Sequence, residues 1–443
     1  MPEQIRLPYY RLDLASFYAL RKTWQLFDKS EGCEPLNNPQ AAILMERRPP
    51  YLPGEKAALA KQAAEKRKAD AEEAKRRKAE QKAEPHQPRS EVAKIEKVAL
   101  KAASDQPKDE QAVEKCKAPP PFDMLDLPDA MNKMGFTVAA KLSRRWFNGR
   151  KHTIPAGKPS YVYPSDMIDM ETVTLNFVLK YRKVKERYDQ LLNSEIYTDK
   201  ALKALKQRIG DLLGAPFLDG RTPYSGNMSA LAFCSGDIQK LHKAFRFQHL
   251  NVSSFDTLNG RFLTDLTASL ANFNLNVAIA EAGVVAEKYH SYPKGTPYVS
   301  CCQFHVEVTD IYVYANDSYS FADNTGQKAS QYLGHWNRNG VILVLEAVAA
   351  DRANRYGIDI ELGSTPTELM LGPVDTLKGW FGQMRKQDVY YPVHNRDYST
   401  WREKFNRGGD FMIFTKPVKI KLPKPIKFTT EETCRPAPQP SGR

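Results

Sequence analysis

The stretch Y-V-S-C-C-Q-F-H-V-E-V-T-D-I-Y-V-Y, from Tyr298 to Tyr314, decides the fold. In its first half Cys302, Phe304, Val306 and Val308 fall on one face of an extended chain, with Cys301, Gln303, His305 and Glu307 on the other. A period of two in β-branched and aromatic residues predicts a strand buried on one side only. The thiol, imidazole and carboxylate of the second face resemble parts of a nucleophilic site. Same-face neighbours on one strand stand about 7 Å apart, however, too far for a direct Cys–His hydrogen bond. An exposed polar sheet face is the simpler reading.

Similar short runs surround this one. Asn274 to Ala280, Gly340 to Val348, Tyr356 to Leu362, Gly409 to Phe414 and Val418 to Lys421 are strand candidates, separated by Gly, Asn, Asp and Pro turns. A short helix over Asp265 to Asn272 feeds the first. Upstream the period changes to three and four. One helical region runs from Phe122 to Trp146-Phe147 and ends near Asn148-Gly149, a second spans about Met167 to Asn193, and a third covers Thr198 to Leu213, bounded by Gly214 and Pro216. Helices first and strands later predict an α+β fold: N-terminal helices followed by a mainly antiparallel β-sheet or sandwich. No internal repeat interrupts that order.

The folded body is therefore residues 122–428. A loose, Pro- and Ser-containing tail, 429–443, follows it. Before it, residues 51–121 form an Ala/Lys/Glu-rich spacer without aromatic residues between Gly54 and Lys117, partly helical or disordered. Glu55 to Glu84 reads as a charged helix, polar all round and supported by pairs such as Glu73 and Arg77. Acidic residues among its lysines weaken it as a nucleic-acid arm, so a semi-rigid spacer is preferred. Residues 1–50 are a short docking segment, with Leu14, Phe17, Tyr18, Arg21 and Trp24 at helical spacing. Such a helix needs a partner surface, either the body or another protein.

The 443 residues are 42% hydrophobic and 26% charged, which excludes global disorder. A formal charge of +13 favours anionic partners without choosing among nucleic acid, lipid head groups and acidic proteins. No apolar run is long enough for a transmembrane helix, and the N-terminus lacks signal architecture, so a cytoplasmic location in the producing cell is expected. Six cysteines without metal-site spacing read as reduced thiols. The chain has no P-loop, dinucleotide-binding glycine motif, H-E-x-x-H, G-x-S-x-G or EF-hand loop. Motors, Rossmann oxidoreductases, zincins and ordinary α/β-hydrolases lose ground, and no cofactor is indicated.

Two stretches remain as places for chemistry. Asp310 to Trp336 predicts a strand running into a loop with Asp317, Asp323 and Asn324. Its carboxylates have a spacing suited to a divalent cation or to acid and base roles, with His335 as partner. The same residues are ordinary turn formers. In Tyr391 to Phe414, Arg396, Arg402, Lys404 and Arg407 lie among Tyr398, Trp401 and Phe405. That mixture suits phosphate or a stacked base, although the aromatic spacing equally makes a buried helical stripe.

Four blocks carry a resemblance: D-L-P-D-A-M-N-K-M-G-F-T-V-A-A-K-L-S-R-R-W-F, D-L-T-A-S-L-A-N-F-N-L-N-V-A-I-A, V-Y-A-N-D-S-Y-S-F-A-D with Q-Y-L-G-H-W, and N-R-D-Y-S-T-W-R-E-K with G-G-D-F-M-I-F-T. Over about Phe122 to Phe428 they resemble a family of bacterial proteins of unknown function often linked to type VI secretion loci. The resemblance transfers no catalytic residues. It implies a Gram-negative context and an effector or accessory protein exported by a signal-independent secretion system, with a secretion-apparatus or adaptor protein as the partner of residues 1–50. A non-enzymatic binding or adaptor protein is the alternative, and a nucleic-acid-binding module a second one. Whether the chain is an enzyme is open at this level. If it is, Asp317 and Asp323, with His335, are the residues expected to act.

Overall fold

In the computed structural model of the chain, residues 12–16, 19–22, 43–83, 121–155, 161–221, 225–257, 263–291, 298–323, 330–344, 370–371 and 391–437 are described. Strands β1 (Leu12–Ser16) and β2 (Ala19–Lys22) precede helix α1 (Glu55–Ala83). A 3-10 turn, Met124–Asp126, leads into α2 (Leu127–Lys133), α3 (Thr137–Asn148), β3 (Ile168–Asp169), α4 (Leu175–Leu179), α5 (Arg182–Asn193) and α6 (Asp199–Leu218). Next come β4 (Ser225–Ser229), α7 (Ala230–Phe233), α8 (Ile238–Phe245), β5 (Arg246–Val252), α9 (Ser254–Thr257) and α10 (Asp265–Ser269). The remainder is β6 (Phe273–Ser291), β7 (Val299–Tyr319), β8 (Tyr332–Asn337), β9 (Gly340–Val344), β10 (Met370–Leu371), β11 (Tyr391–His394), α11 (Asn395–Phe405), β12 (Phe411–Phe414), β13 (Val418–Thr429) and β14 (Thr433–Pro436).

The fold is α+β, as the order of periodicities predicts. An eight-stranded sheet is built on the long β6–β7 hairpin. One edge of β7 carries β12, β13 and β14 in succession, the free edge of β6 carries β5 and β4, and β3 joins β12 in parallel. A four-stranded sheet, β10-β9-β8-β11, stands apart from it. The expected alternation holds on β7 from Cys302 onward: Cys302, Phe304, Val306 and Val308 are buried, while His305 is exposed and ion-paired with Glu287 at 3.1 Å. Cys301, expected on the outer face, is buried as well. Beyond the bulge opposite Glu281 the strand is buried on both faces, from Ile311 to Ala315.

Local chemistry explains the helix boundaries. Thr198 accepts a hydrogen bond from the Ala201 N–H, and Asp237 from Gln239 and Lys240, satisfying donors that a helix start leaves unpaired. Phe136 cannot cap α3. Instead the Asp265 carboxylate accepts from the Val138 and Ala139 N–H groups at 3.0 and 2.9 Å, tying α10 to α3. The region expected as one helix over Met167 to Asn193 is broken, because Thr174 caps a new start at α4 and Tyr181 is extended before α5. α6 runs through Gly214 and Pro216. A proline removes one backbone bond, and near a helix end that loss is small beside the burial of Leu213 and Leu218.

Three further expectations give way. The N-terminal residues at helical spacing include a hairpin, with Asp13 opposite Arg21 on β1 and β2. A segment so short fits either period. The segment read as a loose tail forms β14. There the antiparallel register sets Cys434 opposite Cys301, and the two form a disulfide, so these thiols are not reduced. Cys234 and Cys302 are free and buried. The strand expected over Tyr356 to Leu362 lies outside the described residues.

The chain ahead of Phe122 also holds the body. Leu44 exchanges backbone hydrogen bonds with Phe122 and Met124, and Asp123 accepts from the Glu46 and Arg47 N–H groups. Arg407, 2% exposed, donates to the Asn148, Gly149 and Pro50 carbonyls and to Glu55 at the start of α1. From there α1 extends polar and exposed as far as Arg77, which pairs with Glu73 at 2.7 Å.

Candidate functional site

A cleft of about 420 Å³ is walled by the end of β7, by β8 and β9, by α11 and by the end of α10. Each wall has a local cause. Pairing with β12 sets Asp317 opposite Ile413 and carries β7 on to Tyr319, past the point where the sequence reads as a turn. Asn337 accepts from the Asn339 and Gly340 N–H groups and closes the tight β8–β9 turn, with Gly340 at φ 150°. α11 starts with a capping box between His394 and Asp397 and presents Asn395 and Tyr398 to the cleft. On the same wall Phe321 stacks on Tyr398 with ring centroids 3.6 Å apart, and Trp146 lies behind, edge-on to both.

Most polar side chains on the wall are committed to the fold. Ser269 donates to the Asp265 carbonyl, Thr267 to that of Thr257, Asn272 accepts from the Ser254 N–H, and Ser320 donates to Asp410. Asp317 is different. Among the described residues, the one hydrogen bond to its carboxylate comes from the Ser318 backbone. The residue keeps partial access through the cleft, but protein crowds its carboxyl, and burial holds its pKa well above the ordinary 3.8. Burial likewise raises the Tyr319 and Tyr398 phenols, which stay neutral. The cleft thus offers a carboxylic acid biased toward its protonated form among aromatic rings. Such a group donates a hydrogen bond or a proton to a ligand acceptor.

The other two sequence candidates stand elsewhere. Asp323 is exposed and accepts from the Gln331 N–H at 3.0 Å, closing the loop between them, and it does not line the cleft. His335 lies in β8, opposite Ile342 of β9 and Pro392 of β11, and its side chain is outside the described residues. Among the described residues, the grouping with metal-ligand spacing is Cys301, Glu432 and Cys434, whose sulfurs the disulfide occupies. Two of the four cations read as phosphate contacts are buried and spoken for: Arg402 on Asp410, and Arg407 as described above. Arg396 and Lys404 remain exposed. The walls from α10 and α11 went unrecognised in the sequence, because Thr267, Asn272 and Tyr398 each fit a stripe or turn of their own segment.

The Family of unknown function (DUF6402) matches residues 122–430. Among curated proteins and among solved structures, none matches the chain.

Proposed function

The chain belongs to this family of unknown function across its folded body, and on that premise we propose that the Asp317 cleft is its working site in a secretion-associated bacterial effector or accessory protein. The observation that carries the reading is one side chain: a carboxyl crowded among the aromatic rings of the cleft, its pKa raised by burial and, among the described residues, met by one backbone hydrogen bond from Ser318. It suits an uncharged polar ligand whose acceptor oxygen takes the Asp317 proton or hydrogen bond while the aromatic walls cover its apolar faces. The secretion context rests on the resemblance of the four sequence blocks. The Cys301–Cys434 disulfide supports it, since such bonds persist in oxidising compartments such as a periplasm.

A second reading, a binding or adaptor protein without chemistry, is favoured by a different fact. Asp317 is alone among described titratable carboxylates and imidazoles on the cleft wall, whereas most acid–base catalysis uses two groups.

The full chain, expressed inducibly in a bacterium with and without an added periplasmic signal, separates the two. Arrest of growth by the wild type in the periplasm, abolished by Asp317→Asn in soluble, folded protein, is the expected result. Arrest that survives Asp317→Asn would remove the cleft from the mechanism. Normal growth in both compartments, with soluble protein confirmed, would leave the adaptor reading.

A further inference from the structure

A second recess, of about 380 Å³, opens between α6, α8 and the end of α7. Asp237 caps α8 after a turn through Ser235 and Gly236, both at positive φ. The helix buries Ile238, Leu241 and Phe245, turns Lys240 and Lys243 outward and leaves Ala244 half-buried at the recess. On α6, Arg208, Asp211 and Leu212 follow the spacing of neighbours on one helix face. The floor is apolar: Leu212, Ala244, the Cys234 thiol and the ring of Phe233. Phe233 packs edge-on against Phe245, yet 45% of it stays exposed, a large apolar side chain with nothing over it.

The rim is cationic. Arg208, Lys240 and Lys243 share the lining with one acid, Asp211, while the Asp237 carboxylate acts on the Cys234 thiol from the start of α8. Among the described residues none of Arg208, Lys240, Lys243 and Asp211 forms an ion pair. The potential extends inward. After burial, Arg246, His249 and Arg208 are what push His242 down to about 4, and burial with Arg246 and Lys200 lowers His249. An apolar floor beneath unpaired positive charge calls for a ligand with both properties reversed: a greasy body and an anionic end.

We propose that this recess binds a single-chain anionic amphiphile of the fatty-carboxylate type, the chain lying on Phe233, Leu212 and Ala244 and the carboxylate meeting Lys240, Lys243 and Arg208. A protein partner fits less well, since the eight lining residues fall short of the roughly 20–30 a side that a standard interface engages. Both long walls are helices whose backbone groups are internally bonded, so no strand edge is there to read a peptide. The site is concave, with its ring held against Phe245, and that shape takes one chain better than a bilayer surface.

Calorimetric titration of the full chain with decanoate and with neutral 1-decanol, both below micelle-forming concentrations, tests this directly. Saturable decanoate binding at one site per chain is expected, weakened about tenfold or more in Lys240→Glu/Lys243→Glu and for decanol. Ala244→Trp, which fills the floor without touching the rim, abolishes it. Equal binding of decanol, binding unchanged in both variants, or no saturable heat would each overturn the proposal. So would binding to anionic vesicles with none to decanoate, which would make the face a membrane-surface contact. Because the Asp317 cleft is not involved, these outcomes are independent of the growth experiment.

Discussion

Asp410→Ala is expected to remove about 3–5 kcal/mol of folding stability, a large part of what a domain of this kind possesses. Asp410 is 1% exposed and Arg402 4%. The two Arg402 guanidinium nitrogens reach the Asp410 carboxylate at 3.3 and 2.5 Å, and the Trp146 Nε1–H and Ser320 hydroxyl donate to the same group at 2.9 Å each. Four donors thus converge on one buried anion. Truncation leaves a guanidinium without a counter-charge in a site walled by Trp146, whose ring lies 5.2 Å from it. Adding Arg402→Met to Asp410→Ala should restore part of the loss, because the stranded cation goes with it. Denaturant unfolding of the two variants and the wild type reads this out, and a single variant within about 1 kcal/mol of wild type would contradict it. The consequence reaches the cleft. Trp146 supports Phe321 and Tyr398, with ring centroids 5.3 and 5.1 Å away, so a loosened network would soften the aromatic wall beside Asp317 before the protein unfolds.

The strand from Val299 shows what one sequence discloses and what it hides. Alternation at Cys302, Phe304, Val306 and Val308 is a local property, and the sheet confirms it, with His305 on the outer face held by Glu287 and Thr429. The end of α3 at Asn148 was equally legible, since Gly149 supplies the stop. Past Tyr314 the residues Ala-Asn-Asp-Ser carry turn chemistry, yet they continue the strand because β12 pairs with them. No local pattern announces a partner so distant in sequence, so the sequence marks the Asp317 carboxyl as a candidate but carries no sign of its burial. Cys301 and Cys434 are 133 residues apart and meet only through the β7–β14 register. The buried fate of Arg402 and Arg407 is another case. A guanidinium reads as solvated until the fold supplies Asp410 in one instance and Glu55 with three carbonyls in the other.

Acidification through His242 carries the other large effect. Its ring donates to or accepts from the Tyr314 hydroxyl at 2.9 Å and stands edge-on to Phe414. Burial, reinforced by Arg246, His249 and Arg208, pushes its pKa from 6.5 to about 4. The unfolded chain therefore binds a proton at pH 6.5 that the native ring refuses until about pH 4. Stability is present above the ordinary histidine range and falls as pH drops through that window, by about 3 kcal/mol when the whole shift is expressed. Asp317 works in the opposite sense. Its raised pKa lets the native state hold a proton that the unfolded chain has lost, so its charge opposes folding as pH rises above the ordinary carboxylate range. Urea unfolding at pH 6.5 and near pH 4 separates the two, as the wild-type advantage over His242→Gln should shrink toward acid while Asp317→Asn should gain on the wild type toward neutrality. A His242→Gln difference that is flat with pH would mean the imidazole titrates normally in the fold. An Asp317→Asn variant that is no more stable than wild type at neutral pH would mean the cleft already tolerates a charged carboxylate, and the case for a protonated donor there would fail.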